Sequence, residues 1–372
     1  MTQKKLRVGV VFGSRSCEYD VSLHSAEAVL ANLDTNKYDV VPLAITKEGA
    51  WLLNVTPEEL HALEEKPDEK EHIQQEKAVV LAGDPTVRDL LSVRNGKKVA
   101  PLDVVFPVIH GPYGEDGTIQ GLLEMAGIPY VGGGVLGSAI GMDKEKMKII
   151  FQSINLPVID YLTYRYTRWA REPEAVLTEV EQKLGYPCIV KPVNMGSSVG
   201  VTRADDREAL RRSIAQAAEY DNKIIVERCL NIREISCSVL GNEEPITSPL
   251  GEIVNEENVV NDYDLKYVHP TFRLDIPPAG ISPQMTEDIL RMAKQAFLAL
   301  ELSGLARVDF FVDRNDQRVY INEANTMPGF TSSSVYASLW ATANLPYPQL
   351  LDRLIELALE RHQQRQRLRT TY

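Results

Sequence analysis

Cysteine is scarce in this chain of 372 residues. Only four are present, and no two have the C-x-x-C spacing: Cys17, Cys188, Cys229 and Cys237. Their number and scatter exclude a disulfide framework and a zinc site of the usual spacing. The sequence therefore predicts a protein whose cysteines stay reduced.

Long apolar runs are also missing. The uncharged stretch 125–142 contains six glycines and one proline, and the stretch 326–351 is rich in serine, threonine and proline. A membrane-spanning helix needs about 20 consecutive apolar residues. The basic start is followed only by the short apolar run Val8–Phe12, which is too short for a signal peptide. We therefore expect a soluble, cytoplasmic protein without membrane contact.

Basic charge is in the minority, because 40 Lys and Arg face 52 Asp and Glu and the net charge is −12. Such a chain repels a phosphate backbone, so nucleic acid is not expected as a partner. The hydrophobic content of 44% and charged content of 25% are ordinary and exclude wholesale disorder. At roughly 150 residues per domain, the length predicts two or three domains.

Two common phosphate-binding signatures are absent. There is no Walker motif, and the first predicted strand ends in Gly13-Ser14-Arg15-Ser16 instead of G-x-G-x-x-G. The segment Gly196–Gly200 does match G-x-S-x-G, the nucleophile elbow of serine hydrolases, with Ser198 as the nucleophile. That motif requires a helix directly after the turn, whereas Val199–Thr202 has the pattern of a returning strand. We favour a hairpin tip whose N–H groups wrap a phosphate, with the hydrolase as a remote alternative.

The first third alternates strand and helix patterns, which predicts a doubly wound parallel sheet. One acidic stretch, from Pro57 to Lys77, predicts a solvated surface helix. Ten of the 23 glycines lie between Gly111 and Gly141, where we expect tight turns at strand ends. The other expected elements are strands at Leu6–Phe12, Tyr38–Ile45 and Asp103–Ile109 and helices at Ser22–Leu33 and near Thr118–Ala126.

Two further units follow, with expected domains at 1–133, 134–231 and 232–372. The second unit combines helices at Lys144–Ile154 and Asp205–Tyr220 with strands at Pro187–Lys191 and Ile224–Leu230. The third has a strand at Ile235–Leu240, a polar loop at Glu252–Pro270, a helix at Met285–Leu300, a hairpin of Leu305–Val312 with Gln317–Ala324, and a terminal helix at Leu350–Arg369.

Two lysines have a pattern that indicates phosphate binding. Lys191 ends a buried strand just before the Gly/Ser tip, and the alternative is a lysine that only extends from a strand end to solvent. Lys144 opens a helix, where a cation is unfavourable unless an anion lies nearby.

The C-terminal hairpin predicts a metal site. Period-two alternation places Arg307 and Asp309 on one face of the first strand, and Glu323 and Asn325 on one face of the second. Opposed carboxylates destabilise a strand pair unless a cation lies between them, and hard oxygen donors suit Mg²⁺ with nucleotide phosphates. The alternative is a structural ion-pair cluster around Arg307. Beyond it, the loop 328–334 offers small donors for a substrate carboxylate, or is merely flexible.

Together these segments resemble a known family. His110–Gly117, Lys191–Pro192 with Gly196–Gly200, and Asn322–Gly329 resemble the D-alanine–D-alanine ligases of the ATP-grasp superfamily, from the first strand to the terminal helix. The resemblance implies an α/β fold in which two α+β subdomains clasp ATP, preceded by an N-terminal doubly wound parallel-sheet domain. The charged segment 54–100 is similar to the insertion of longer members. Implied as well are a homodimer and ATP-dependent ligation of two D-alanines through an acyl phosphate, with release of ADP and phosphate, for peptidoglycan synthesis.

The same resemblance implies roles for individual residues. For ATP they are Lys144, Lys191, Ser197, Ser198, Glu227, Cys229, Leu230, Glu234 and Lys266. For two Mg²⁺, which Mn²⁺ can replace, they are Asp309, Glu323 and Asn325. For the first D-alanine they are Glu18 and His110, for the second Ser334, and for the transition state Arg307 and the Gly329 backbone. Ser197, Tyr267 and Glu18 would form a triad that latches the mobile loop 252–270 over the site.

Other functions stay open at this point. A different ATP-grasp carboxylate–amine ligase or a D-alanine–D-lactate ligase is the nearest alternative, although Tyr267 implies an amine acceptor. A nucleotide-binding regulatory protein would not need Arg307 together with the predicted metal ligands. The base that deprotonates the attacking amine is not identified by the sequence.

Overall fold

The computed structural model of the protein describes residues 4–255 and 272–369. Its first part contains a four-stranded sheet in which β1 pairs in parallel with β2 and β7, and β3 pairs antiparallel at the edge. The predicted parallel arrangement is thus confirmed. The elements of this part are β1 (Leu6–Gly13), α1 (Tyr19–Asn32), β2 (Tyr38–Ile45), β3 (Trp51–Leu53), α2 (Pro57–Glu64), α3 (Pro67–Lys77), β4 (Val79–Leu81), β5 (Asp89–Ser92), β6 (Lys98–Pro101), β7 (Val104–Pro107) and α4 (Thr118–Met125).

The acidic stretch after β3 forms two helices where the sequence predicted one. Thr56 and Glu59 form a capping box at the start of α2. Pro67 begins α3, because proline suits the first turn of a helix and interrupts a helix that reaches it from the N-terminal side. No residue of α3 is buried, which agrees with the predicted solvated surface, whereas Leu60 and Leu63 of α2 are buried in the core of the first part, so for α2 the prediction is wrong. Beyond it, β4, β5 and β6 form a small antiparallel sheet.

The middle part contains a second, fully antiparallel sheet with the strand order β10-β9-β11-β8. Three of its helices, Tyr166–Arg171, Pro173–Lys183 and Arg207–Tyr220, pack in one buried cluster with residues of this sheet such as Val190 and Val226. The elements are α5 (Val135–Met142), α6 (Lys144–Ser153), β8 (Tyr161–Arg165), α7 (Tyr166–Arg171), α8 (Pro173–Lys183), β9 (Cys188–Pro192), β10 (Thr202–Ala204), α9 (Arg207–Tyr220) and β11 (Lys223–Arg228).

The last part is a five-stranded antiparallel sheet with the order β14-β13-β12-β15-β16. Its elements are β12 (Ile232–Gly241), β13 (Ile246–Asn255), β14 (Phe272–Asp275), α10 (Pro283–Ala299), β15 (Gly304–Asp313), β16 (Val319–Asn325), α11 (Val335–Thr342) and α12 (Tyr347–Gln366).

The predicted polar loop 252–270 is wrong at its start. Glu252 to Asn255 still belong to β13, where they pair with β14, and Arg233 holds the Glu252 carboxylate through its Nε at 2.8 Å. Ladder hydrogen bonds and this ion pair extend the strand beyond its apolar stretch. Residues 256–270 of the predicted loop lie outside the described residues.

The chain end returns to the first sheet. Phe330, just after the last strand, contacts the rings of Phe106 in β7 and Tyr347 in α12 at 5.7 Å between centroids. One buried cluster therefore joins β1, α1 and β7 to α11 and α12. Within 4–255 and 272–369, no helix is long and apolar enough to span a membrane.

Candidate active site

Glu18 lies in a narrow space between two backbone segments. Its side chain is buried at the start of α1, and Ser197 Oγ donates a hydrogen bond to Glu18 Oε2 at 2.5 Å. A Cβ at Gly111 would lie 2.8 Å from Glu18 Oε1, and one at Gly196 would lie 2.4 Å from the same atom. Both glycines thus allow the backbone to approach the carboxylate closely, which brings the first part and the β9–β10 hairpin together. Tyr267, the third member of the expected triad, lies outside the described residues.

His110 connects two segments through both of its ring nitrogens. It is 2% exposed; Nδ1 lies 3.0 Å from Met327 O and Nε2 lies 2.9 Å from Ser25 Oγ. Because a carbonyl only accepts, Nδ1 carries the proton and Nε2 accepts from Ser25. Burial lowers the pKa of His110 to about 4, with the Met327 carbonyl opposing this, so the ring is neutral at pH 7. Its geometry indicates positioning of the loop that follows β16.

Glu115 is a half-buried residue beside Glu18 to which the sequence analysis gave no role. Its carboxylate accepts hydrogen bonds from Gly111 N and Met327 N, both at 2.9 Å, and from Thr326 Oγ1 at 3.2 Å. Burial and the negative charge of Glu18 raise its pKa to about 7, although these donors act in the opposite direction. Its position within the quoted His110–Gly117 segment was the only sequence signal that could have identified it.

Glu115 predicts a pH-dependent stability. Since its folded pKa lies above the ordinary value of 4.5, the folded state binds more protons than the unfolded state between pH 4.5 and about 7. Its ionisation therefore lowers the free energy of unfolding as the pH rises through this window, by on the order of 3 kcal/mol. Urea unfolding of the wild type and Glu115→Gln between pH 5 and 8 would measure this. If the difference in free energy of unfolding between the wild type and Glu115→Gln does not change with pH, the prediction is wrong.

Two of the predicted phosphate-binding lysines lie near carboxylates. Lys144 is the first residue of α6; its Nζ donates to Met195 O at 2.7 Å and lies 3.6 Å from Glu323 Oε2. Lys191 Nζ lies 2.6 Å from Glu227 Oε2. Burial lowers the pKa of Lys191, but the negative charges of Glu227 and Glu323 outweigh burial and raise it. Lys144 therefore reaches β16 of the C-terminal sheet, whereas Lys191 pairs with a carboxylate of its own sheet.

In the C-terminal hairpin, Asp309 lies directly opposite Glu323 and Arg307 opposite Asn325, and the pairing shifts by one residue at a bulge between Asp309 and Phe310. Asp309 accepts from Arg307 Nη2 at 2.7 Å, from Ser236 Oγ at 2.7 Å and from Asn325 Nδ2 at 2.8 Å. The ion-pair alternative is therefore present in this structure. Among the described residues, no group of three or more His, Cys, Asp or Glu is clustered for a metal. Two carboxylates and an amide nevertheless form an all-oxygen donor set that fits Mg²⁺.

The remaining predicted residues lie at several positions along the middle and last parts of the chain. Cys229 and Leu230 follow β11 and are half-buried, and Glu234 lies in β12. Ser334 begins α11, and its Oγ donates to Thr331 O at 2.8 Å. A Cβ at Gly329 would meet nothing within 4 Å, so the space above this backbone is open. Lys266 lies outside the described residues.

Ser198 does not lie in a nucleophile elbow. Strands β9 and β10 pair antiparallel, with Thr202 opposite Val190, so Gly196–Gly200 is within a hairpin connection and no helix follows it directly. This arrangement agrees with the expected hairpin tip and removes the geometry that a serine hydrolase requires.

A parallel sheet followed by two antiparallel sheets, with lysines and carboxylates gathered where they meet, defines an enzyme of the ATP-grasp class. Two family models match, described as D-ala D-ala ligase N-terminus over residues 7–133 and D-ala D-ala ligase C-terminus over residues 150–356. The chain belongs to the D-alanine–D-alanine ligase family.

Individual relatives agree with this assignment along the whole chain. A D-alanine–D-alanine ligase of Ruminiclostridium cellulolyticum is 46% identical over 371 residues, 98% of each chain. A solved D-alanine–D-alanine ligase from Coxiella burnetii is 34% identical with a TM-score of 0.81, over 98% of each chain. The VanG D-Ala:D-Ser ligase from Enterococcus faecalis is 36% identical with a TM-score of 0.80, over 95% of this chain and 100% of that one.

Proposed function

We propose that the protein joins two D-alanine molecules to D-alanyl-D-alanine and converts ATP to ADP and phosphate, for peptidoglycan synthesis. The proposal rests on two side-chain contacts that join different parts of the chain. The Glu18–Ser197 pair places a buried carboxylate at the β9–β10 hairpin, while Lys144 of α6 reaches Glu323 of β16. Lys144 also donates to the carbonyl of Met195, two residues before Ser197, which supports placing the proposed ammonium site and the proposed phosphate site side by side.

The chemistry starts from a carboxylate that is a poor electrophile until it is phosphorylated. Glu18 would bind the ammonium of the first D-alanine and so fix its carboxylate. Lys144 and Lys191 would hold the phosphates and offset the repulsion between two anions. The carboxylate would take the γ-phosphoryl group of ATP, with ADP as the leaving group. The amine of the second D-alanine, held through Ser334, would then lose a proton and attack the acyl carbon, and the tetrahedral intermediate would collapse with phosphate as the leaving group. Arg307 and the Gly329 N–H would stabilise the negative oxygen of the tetrahedral intermediate.

Asp309, Glu323 and Asn325 would hold two Mg²⁺, for which Mn²⁺ can substitute. The metal supplies positive charge to the phosphates when it is bound. If Asp309 binds the metal, the Arg307 side chain must give up part of its bidentate contact with the Asp309 carboxylate. The released guanidinium could then turn to the reacting oxygen. Glu227, Cys229, Leu230, Glu234 and Lys266 would bind the nucleoside part.

One assay tests the proposal. Purified protein is incubated with Mg-ATP, with and without D-alanine, and both phosphate and dipeptide are measured. We expect phosphate release that depends on D-alanine, in equal amount to D-alanyl-D-alanine. Phosphate release without dipeptide, or hydrolysis of an ester without ATP, would refute it.

The acceptor needs its own measurement, because one similar structure is described as a D-Ala:D-Ser ligase. Competition among D-alanine, D-serine and D-lactate at neutral pH, with products separated by mass, would rank the three. We propose D-alanine as the preferred acceptor, with Tyr267 favouring an amine over a hydroxyl. We also propose that the enzyme acts in the cytoplasm as a homodimer.

A further inference from the structure

Lys148 is a buried cation with no assigned role. It is 1% exposed and lies on α6 one turn after Lys144, so both side chains project from the same side of the helix. A buried lysine is costly unless an anion pairs with it. In this fold that anion is Glu227, which is itself only 2% exposed.

Glu227 lies between two lysines. Lys148 Nζ lies 2.9 Å from Glu227 Oε1, where it forms an ion pair without hydrogen-bond geometry. Lys191 Nζ lies 2.6 Å from Glu227 Oε2. Burial opposes ionisation of Glu227, but the two cations outweigh it and hold its pKa well below the usual range. Two positive charges and one negative charge leave a net positive charge. Without Lys148, Glu227 would compensate Lys191 completely.

Lys148 also connects the two antiparallel sheets. Glu227 belongs to β11 of the middle sheet, whereas the second contact of Lys148 Nζ is the carbonyl of Asn322 in β16, at 3.4 Å. Asn322 directly precedes Glu323, which lies 3.6 Å from Lys144. A single buried ammonium group thus contacts the strand that carries the predicted metal-binding side chains and the carboxylate that pairs with the predicted phosphate-binding Lys191.

We propose that Lys148 is a positioning residue for the nucleotide phosphates: it neutralises Glu227, so that the charge of Lys191 stays available to an anionic phosphate. The inference rests on the proposed use of ATP at this site. It also gives Glu227 a role in holding Lys191, in addition to the role in adenine binding that the resemblance implies.

The test compares Lys148→Met with Lys146→Met, which removes an exposed lysine from the same helix. Calorimetry measures the dissociation constant of Mg-ATP without D-alanine, and steady-state kinetics measures KM and kcat. We expect Lys148→Met to weaken Mg-ATP binding on the order of ten-fold or more, with KM for ATP raised alike and KM for D-alanine unchanged. Lys146→Met should bind Mg-ATP like the wild type. Unchanged Mg-ATP affinity in Lys148→Met would overturn the inference.

A double-variant cycle separates positioning from general stability. If Lys148 acts through Glu227, Lys148→Met should weaken Mg-ATP binding less in a Glu227→Gln background than in the wild type. Equal effects in both backgrounds would overturn the inference. If Lys148→Met folds poorly, the double variant Lys148→Met/Glu227→Gln, which also lacks the Glu227 charge, can be compared with Glu227→Gln alone. A ten-fold loss of Mg-ATP affinity between these two variants refutes action through Glu227. A clearly smaller loss supports it.

Failure of the proposed function gives a different result. A wild type that binds Mg-ATP but makes no dipeptide refutes the proposed reaction and leaves the binding test of Lys148 valid. A wild type that does not bind Mg-ATP at all refutes both.

Discussion

Arg307→Met is expected to lower kcat for D-alanine-dependent phosphate release by about 10²–10³-fold, the usual cost of removing one donor to a transition-state oxyanion. Arg307 is the only residue proposed here to bring a side-chain cation to the tetrahedral intermediate. Methionine keeps much of the length and apolar volume but removes the guanidinium. Asp309 keeps its hydrogen bonds from Ser236 and Asn325, so the hairpin should still fold. KM for ATP should change far less than kcat.

Arg318→Met is the matched control for this prediction. Arg318 lies at the turn of the same hairpin, is largely exposed, and pairs with Asp316 at 3.3 Å. Loss of an exposed ion pair changes little, so this variant should retain wild-type kcat. If Arg307→Met keeps kcat within about three-fold of the wild type, while circular dichroism shows both variants folded, the assignment of Arg307 to the transition state is wrong.

The C-terminal hairpin shows which parts of a site can be predicted from sequence. Alternation placed Arg307 with Asp309 and Glu323 with Asn325, and folding around the short polar turn placed Asp309 opposite Glu323 to within about a residue. A bulge between Asp309 and Phe310 completes the observed pairing, because the register near the turn alone would put Asp309 opposite Asn322. Both signals are local: the side-chain period of a strand is two, and a short turn leaves few choices of register. The side-chain neighbours of Asp309 were harder to predict, because Ser236 comes from β12, far away in the sequence.

Lys148 and Glu115 show what local patterns do not contain. Lys148 looks like any lysine of a charged helix until the fold places Glu227 against it, 79 positions later. Glu115 lies in a motif, but its burial depends on Met327 and Thr326, more than 200 positions away. Partners that are distant in sequence decide whether a charged residue is a solvated surface group or a buried one. The split of the acidic helix at Pro67, by contrast, could have been predicted from the proline itself.

Phe330→Ala is expected to lower the free energy of unfolding by about 3–5 kcal/mol, the usual cost of truncating a fully buried phenylalanine. Phe330 is 0% exposed, and its ring lies 5.7–5.8 Å from those of Phe106, Tyr336 and Tyr347. The structure around it cannot easily close the cavity, because these rings come from three different elements and two backbone contacts fix the Phe330 main chain. Its N–H donates to Ser25 Oγ at 3.2 Å, and its carbonyl accepts from Tyr347 Oη at 2.6 Å.

Urea unfolding at neutral pH would measure the loss, with Leu298→Ala as the control because Leu298 is half-exposed on α10 and should cost below about 1 kcal/mol. The free energy of unfolding of Phe330→Leu should lie between those of Phe330→Ala and the wild type, since leucine fills part of the cavity. If Phe330→Ala lowers the free energy of unfolding no more than Leu298→Ala does, the rings around Phe330 rearrange to fill the cavity and the prediction is wrong. Gly329 directly precedes Phe330. A decrease in the free energy of unfolding as large as expected would therefore mean that the packing of the chain end on the first sheet also holds the Gly329 backbone in place. The Phe330→Ala protein, while still folded, should then also show a lower kcat than the Leu298→Ala protein.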